Sequence, residues 1–162
     1  MHVRFVLFVV SALLFICGIS FVVASARTQR RPAPAPTETL ATVASVKQIM
    51  RGIVDPAANT VFGAVSTTMT AAGLDEKAPS TPAEWEAVAN SAAALAEAGN
   101  LLLVGDRVVD RGDWITLSRK MTEAARVALT AAEAKDADGV FSSGEAIYDS
   151  CNSCHGKYQR TQ

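Results

Sequence analysis

The sequence predicts an all-α fold, an antiparallel four-helix bundle. Three observations predict it. Apolar residues recur at three- and four-residue spacing in four segments between Thr37 and Arg160, the period of an amphipathic helix. Short connections rich in Gly, Pro and capping residues separate the segments, which favours up-down-up-down neighbours. No segment alternates convincingly as a strand.

The chain of 162 residues has room for one domain behind an N-terminal extension. Its composition is 49% hydrophobic and 19% charged, but the N-terminus inflates the first figure. From Phe5 to Ala26 there is no charged side chain; Arg4 precedes the run and Arg27, Arg30 and Arg31 follow it. The run is about long enough to span a bilayer. Ala24-Ser25-Ala26 also offers the small residues of a signal-peptidase site. Residues 1–26 are therefore read as a signal peptide or an N-terminal membrane anchor. The arginines after it argue weakly against a cytoplasmic N-terminus. Cys17 follows Ile16 rather than a small residue, so it reads as an apolar cysteine and not as a lipoprotein site. Residues 27–37 form a linker. Pro32, Pro34 and Pro36 alternate with alanine there and favour extended polyproline structure.

The folded domain is expected to span 38–162. Its first helix opens on Thr37 as N-cap with Glu38 in the first turn. Leu40, Val43, Val46, Met50 and Ile53 mark its apolar face. Pro56 predicts a kink or restart, after which Ala57, Val61, Phe62 and Val65 carry the face to about Ala72, with Gly73 as the stop. The second helix has a clear start in Thr81-Pro82-Ala83-Glu84: an N-cap, Pro at N1 and a capping-box Glu. Trp85, Val88, Ala92, Leu95, Ala96 and Leu102 form its inward stripe. The third runs from about Asp113 to Lys135, with Trp114, Leu117, Met121, Ala125, Ala128 and Ala132 inward. The fourth runs from about Gly139 to Arg160, with Phe141, Tyr148, Cys151, His155 and Tyr158 along one side. Gly144 lies inside it, where glycine costs about 1 kcal/mol against alanine; close approach to a neighbouring helix or to a bound cofactor would justify it. Inward alanines allow close helix approach but bury little area each. The large anchors expected are Phe62, Trp85, Trp114, Met121 and Phe141, with Met69 also in the core.

Cys151-Asn152-Ser153-Cys154-His155 carries the chemistry. C-x-x-C-H is the attachment signature of a c-type haem. Two thiols reach the two vinyl groups on one edge of the porphyrin, and the histidine after the second thiol becomes the proximal iron ligand. On a helix, Cys151 and Cys154 lie about one turn apart and His155 falls on the same side. A CxxC pair also suits a zinc half-site, a disulfide or a thioredoxin-like redox pair. Zinc needs about four ligands, and the chain has three cysteines and two histidines, of which Cys17 and His2 lie in the N-terminal run. A thioredoxin-like role expects a βαβ context. A disulfide leaves the histidine unused. The expected cofactor is one covalent haem c, held by Cys151, Cys154 and His155. Attachment of such a haem takes place outside the cytoplasm, so the domain is expected to be periplasmic, with residues 5–26 as an inner-membrane tether if retained.

A four-helix pattern with C-x-x-C-H on the last helix, near the C-terminus, resembles cytochrome c′ and the other class II c-type cytochromes. The run from Cys151 through Tyr158 is similar to the family's C-x-x-C-H-x-x-[Tyr/Phe] ending, and the resemblance spans roughly residues 38–160. Two features depart from the pattern: Gln159 stands before Arg160, and Met50-Arg51 with Pro56 behind it replaces the usual opening. The resemblance implies one of two iron sites. Low-spin relatives complete Met/His ligation with a methionine of the first helix, for which Met50 is the candidate sixth ligand. Met/His ligation raises the potential and suits one-electron transfer with a redox partner protein. Cytochrome c′ itself resembles a five-coordinate site that binds small gases such as NO or CO. The resemblance also implies a homodimer through the early helices, and a basic side chain near the histidine, for which Lys157 and Arg160 are candidates.

Other functions find little support. Without residues 1–26 the basic side chains number one fewer than the whole chain's 15, against 16 acidic, so nothing suggests nucleic-acid binding. His155 is the sole histidine after the N-terminal run, which leaves no Ser/His/Asp set and argues against an enzyme of hydrolase type. Asp106, Asp110 and Asp113 alternate with Arg107 and Arg111 and read as loop and capping carboxylates. Arg51 reads as an exposed helix residue. Trp85 and Trp114 read as packing anchors, and Tyr158 as a packing or capping residue.

Overall fold

The computed structural model describes residues 2–11, 14 and 40–159. The chain divides into two units, Met1–Thr39 and Leu40–Gln162. In the first, residues 2–11 are helical and exposed. The linker 27–37, the cap at Thr37, Cys17, Arg160 and most of the run 5–26 lie outside the described residues. No helix among the described residues is long and apolar enough to cross a membrane.

The second unit is mostly helical, compatible with an all-α class, and carries one small two-stranded sheet. Its first helical path starts at α1, Val46–Ile49, later than the apolar pattern predicts. Ser45 and Gln48 form a capping box there, which stops the helix from extending backwards. Leu40 and Val43 are consequently exposed, not part of an apolar face. The chain ahead of Ser45 is held instead by polar contacts. The Arg107 Nε donates to the Ala44 carbonyl at 2.9 Å, and the Thr42 hydroxyl donates to Asp106 at 2.5 Å.

Pro56 does not break the path. A π-helical turn, Met50–Val54, precedes α2, Asp55–Phe62. Proline has no N–H, and its ring would meet the carbonyl four residues back. The wider turn relieves that conflict, with the Asp55 N–H donating five residues back to Met50.

The predicted continuation to Ala72 is wrong. Helix α2 stops at Phe62, and β1 (Ser66–Thr70) pairs antiparallel with β2 (Gly73–Lys77), Met69 opposite Leu74. Thr67, Thr68 and Thr70 are β-branched and favour strand over helix. Gly73 takes φ +122° in the turn, a conformation that favours glycine. The Lys77 ammonium donates to the Gly63 carbonyl at 2.6 Å and ties the hairpin to the end of α2. Neither face of the hairpin is buried, so the sequence has no alternating apolar signal. Met69 is 81% exposed and does not belong to the core.

Helix α3, Pro82–Leu101, begins as predicted, with Thr81 as N-cap, a capping box to Glu84 and Pro at the start. The Glu84 carboxylate accepts from the Ser80 and Thr81 amides at 2.7 and 2.9 Å. These two amides, with the Ser80 and Thr81 hydroxyls behind them, lower its pKa from 4.5 to about 2. A depressed carboxylate adds stability above its unfolded pKa, and that contribution disappears as pH falls through the folded value. Thermal unfolding of Glu84→Gln is therefore expected to lie below wild type at pH 6, with the two curves converging between pH 4.5 and about 2. Parallel curves over that window would remove Glu84 from the acid response.

Helix α4, Asp113–Glu133, and helix α5, Ala137–Tyr158, follow. Between them Lys135 is left-handed at φ 57°. Its N–H donates to Ala132, and the next amide, of Asp136, donates to Ala131 at 2.9 Å. This is the pairing of a Schellman motif with lysine in the position glycine usually takes. Asp136 then caps α5 by accepting from the Gly139 amide.

The core sits between the first helical path, α3, α4 and α5. Ile49, Leu95, Leu102 and Ile147 are fully buried, with Trp85, Trp114 and Met121 nearly so and alanines filling the rest. Helices α3 and α4 approach closely at Gly99, where a Cβ would lie 3.1 Å from the Ser118 carbonyl. Two expected anchors are misplaced: Phe62 is 40% and Phe141 60% exposed. The buried line of α5 is Val140, Ser143, Ile147 and Ser150. Phe141 lies about 100° round the helix from it.

Candidate functional site

Helix α5 runs unbroken through the Cys151–His155 motif and ends one turn beyond it, at Tyr158. The spacing places Cys154 on the inward line of α5, after Ser150. It places Cys151 and His155 on an adjoining flank with Phe141, Gly144 and Tyr148. Both thiols are free and partly buried. Burial pushes both pKa values up, and at Cys154 the neighbouring Cys151 adds to the effect. They are therefore neutral thiols at neutral pH, unlike the thiolates of metal or redox sites. His155 is exposed.

The flank around these residues is aromatic and uncovered. Tyr148 is 58% exposed and shares a flank of α5 with Phe141 by helical spacing, and the Phe62 ring lies against that flank at Gly144. Gly144 does not serve a close helix approach: a Cβ there would meet the Phe62 ring at 3.7 Å, an ordinary contact. Clustered exposed aromatic side chains mark a surface that something covers. Two neutral thiols one turn apart, an imidazole on their flank and an aromatic surface beside them fit a covalently attached haem. Among the described residues no three or more His, Cys, Asp or Glu side chains gather as a metal-ion site. Two surface grooves, lined by residues of the π turn, α2, the end of β2, α3 and the segments between them, include none of the motif residues.

Met50 opens the π turn, is partly buried and packs against the core. Arg51 is exposed, as expected. Met121 is buried in α4.

Beyond the motif, the end of α5 is tied to the start of α4. The Lys157 ammonium pairs with Asp113, and the Tyr158 hydroxyl donates to Asp110 Oδ2. The Tyr158 ring meets Trp114 edge to face, with centroids 5.1 Å apart. Trp114 is itself fixed by donating its indole N–H to the Leu102 carbonyl at 2.9 Å. Asp110 Oδ1 accepts the Gly112 and Trp114 amides at 2.8 and 3.2 Å. The Tyr158 hydroxyl, followed by the Gly112 amide, holds the Asp110 carboxyl below its ordinary pKa. Burial and then Asp110 push the Tyr158 hydroxyl up to about 12. The capping role of Asp110 was legible in the sequence. Its bond to Tyr158 was not, since the partners are 48 residues apart and no pattern relates them.

No protein-family model, curated protein or solved structure matches this chain.

Proposed function

We propose that this chain is an exported monohaem c-type cytochrome of the class II kind, an electron carrier rather than an enzyme. The observation that carries the reading is the Cys151–His155 motif, set with two free thiols in the last turns of α5. Cys151 and Cys154 would hold one haem c by thioethers, and His155 would be the proximal ligand. The haem supplies one-electron chemistry when bound. The chain's own residues do the rest: α5 sets the spacing of the three attachment groups, and the exposed rings of Phe62, Phe141 and Tyr148 offer an apolar surface on the same flank. The first helical path, α3, α4 and α5 pack as consecutive neighbours, which supports an antiparallel four-helix bundle. Electron exchange would be with a redox partner protein in the periplasm, the domain being tethered by residues 5–26 if these are retained.

Met50 is the candidate sixth ligand. The test is the optical spectrum of the holoprotein, ferric and ferrous, with and without CO, beside Met50→Ala. The expected result is a low-spin ferric spectrum with a methionine–iron charge-transfer band that Met50→Ala removes. A high-spin spectrum that responds to CO and ignores the mutation would replace electron transfer by binding of small gases at an open iron.

A further inference from the structure

Cys151, Cys154 and His155 occupy the last two turns of α5, and the helix ends at Tyr158. Terminal turns fray, because their last carbonyls lack intrahelical partners. A frayed end would leave the His155 imidazole without a set direction. In this chain two side chains of the terminal turn are gripped from outside. Tyr158 is held by Asp110 and Trp114, and Lys157 by Asp113. The Lys157 pair is open to solvent, where an ion pair is screened and weak. Tyr158 is partly buried, and its hydroxyl meets a carboxylate already ordered by two amides. Hydrogen bonds to charged groups are stronger than neutral ones. Asp110 therefore uses one oxygen to start α4 and the other to finish α5.

We propose that Asp110 is a positioning residue for the attachment segment: through Tyr158 it fixes the terminal turn of α5, and so the direction of the His155 imidazole. Its importance for an iron site rests on the proposed function, whereas the clamp on α5 stands independently of it.

The test compares wild-type holoprotein with Tyr158→Phe and Asp110→Asn. Phenylalanine keeps the contact with Trp114 and removes only the hydroxyl. Asparagine keeps a side-chain carbonyl for the Gly112 and Trp114 amides and removes the charge. Amide hydrogen exchange over residues 155–159 is expected to accelerate about tenfold or more in each variant. The double variant should be no faster than Tyr158→Phe alone, because that substitution already removes the shared bond. The ferric electron paramagnetic resonance spectrum, which reports the axial imidazole, should shift or broaden in both. Unchanged exchange overturns the clamp. Faster exchange with an unchanged iron spectrum overturns the positioning role and leaves Asp110 as a helix cap. A wild-type chain without covalent haem overturns the proposed function and the iron-directed role together, and exchange alone then decides whether the clamp exists.

Discussion

If the chain carries haem as proposed, Cys151→Ala and Cys154→Ala are each expected to lose most of the covalent attachment, and the double variant all of it. A haem stain on a denaturing gel reads this directly, because only a thioether-linked group survives denaturation. The expectation follows from the geometry of one helix. The two thiols stand about one turn apart on α5, and each is a neutral, partly buried group. Neither engages a disulfide or a metal-ion cluster among the described residues. With one thiol gone, only the other thiol and His155 would remain to hold the proposed haem. The substitution itself costs the fold little: alanine suits a helix interior, and both positions lie at the margin of the core. A full-strength stain in both single variants, or none in wild type, would remove the attachment reading.

Trp114→Ala is expected to have the largest effect on stability, about 3–5 kcal/mol. That is a large fraction of the total stability of a typical domain. Trp114 is 4% exposed and lies at the first turn of α4. Its indole N–H satisfies the Leu102 carbonyl just beyond α3, and its ring receives Tyr158 from α5. Truncation therefore opens a cavity where three helices meet, and leaves a polar group without its partner. Chemical denaturation should show a lower midpoint with an unchanged slope. A loss below about 1 kcal/mol would mean that the surrounding side chains collapse into the space.

Much of the helical framework was legible because it rests on local chemistry. Thr81, Pro82 and Glu84 announce the start of α3 within four residues, and the structure places the helix there. Trp85, Val88, Leu95, Trp114 and Met121 follow helical spacing and are buried. The misreadings have a common cause. Leu40, Val43, Phe62 and Phe141 fit an apolar period, yet all four are exposed. Periodicity says which residues share a face, not whether another element covers that face. The hairpin at residues 66–77 escaped because neither of its faces is buried, which leaves composition and turn chemistry as the remaining signals.

By itself, the sequence determined the helical class of the domain, the start of α3, and the spacing of Cys151, Cys154 and His155. Each of these depends on residues within a turn or two of one another. Tertiary structure decided the rest: the π turn that accommodates Pro56, the aromatic flank left open beside the thiols, and the clamp from Asp110 to Tyr158. Such features depend on groups far apart in the chain meeting in space. No local preference of residues 107–113 encodes a bond to a hydroxyl at 158; only the packing of α4 against α5 brings the two together.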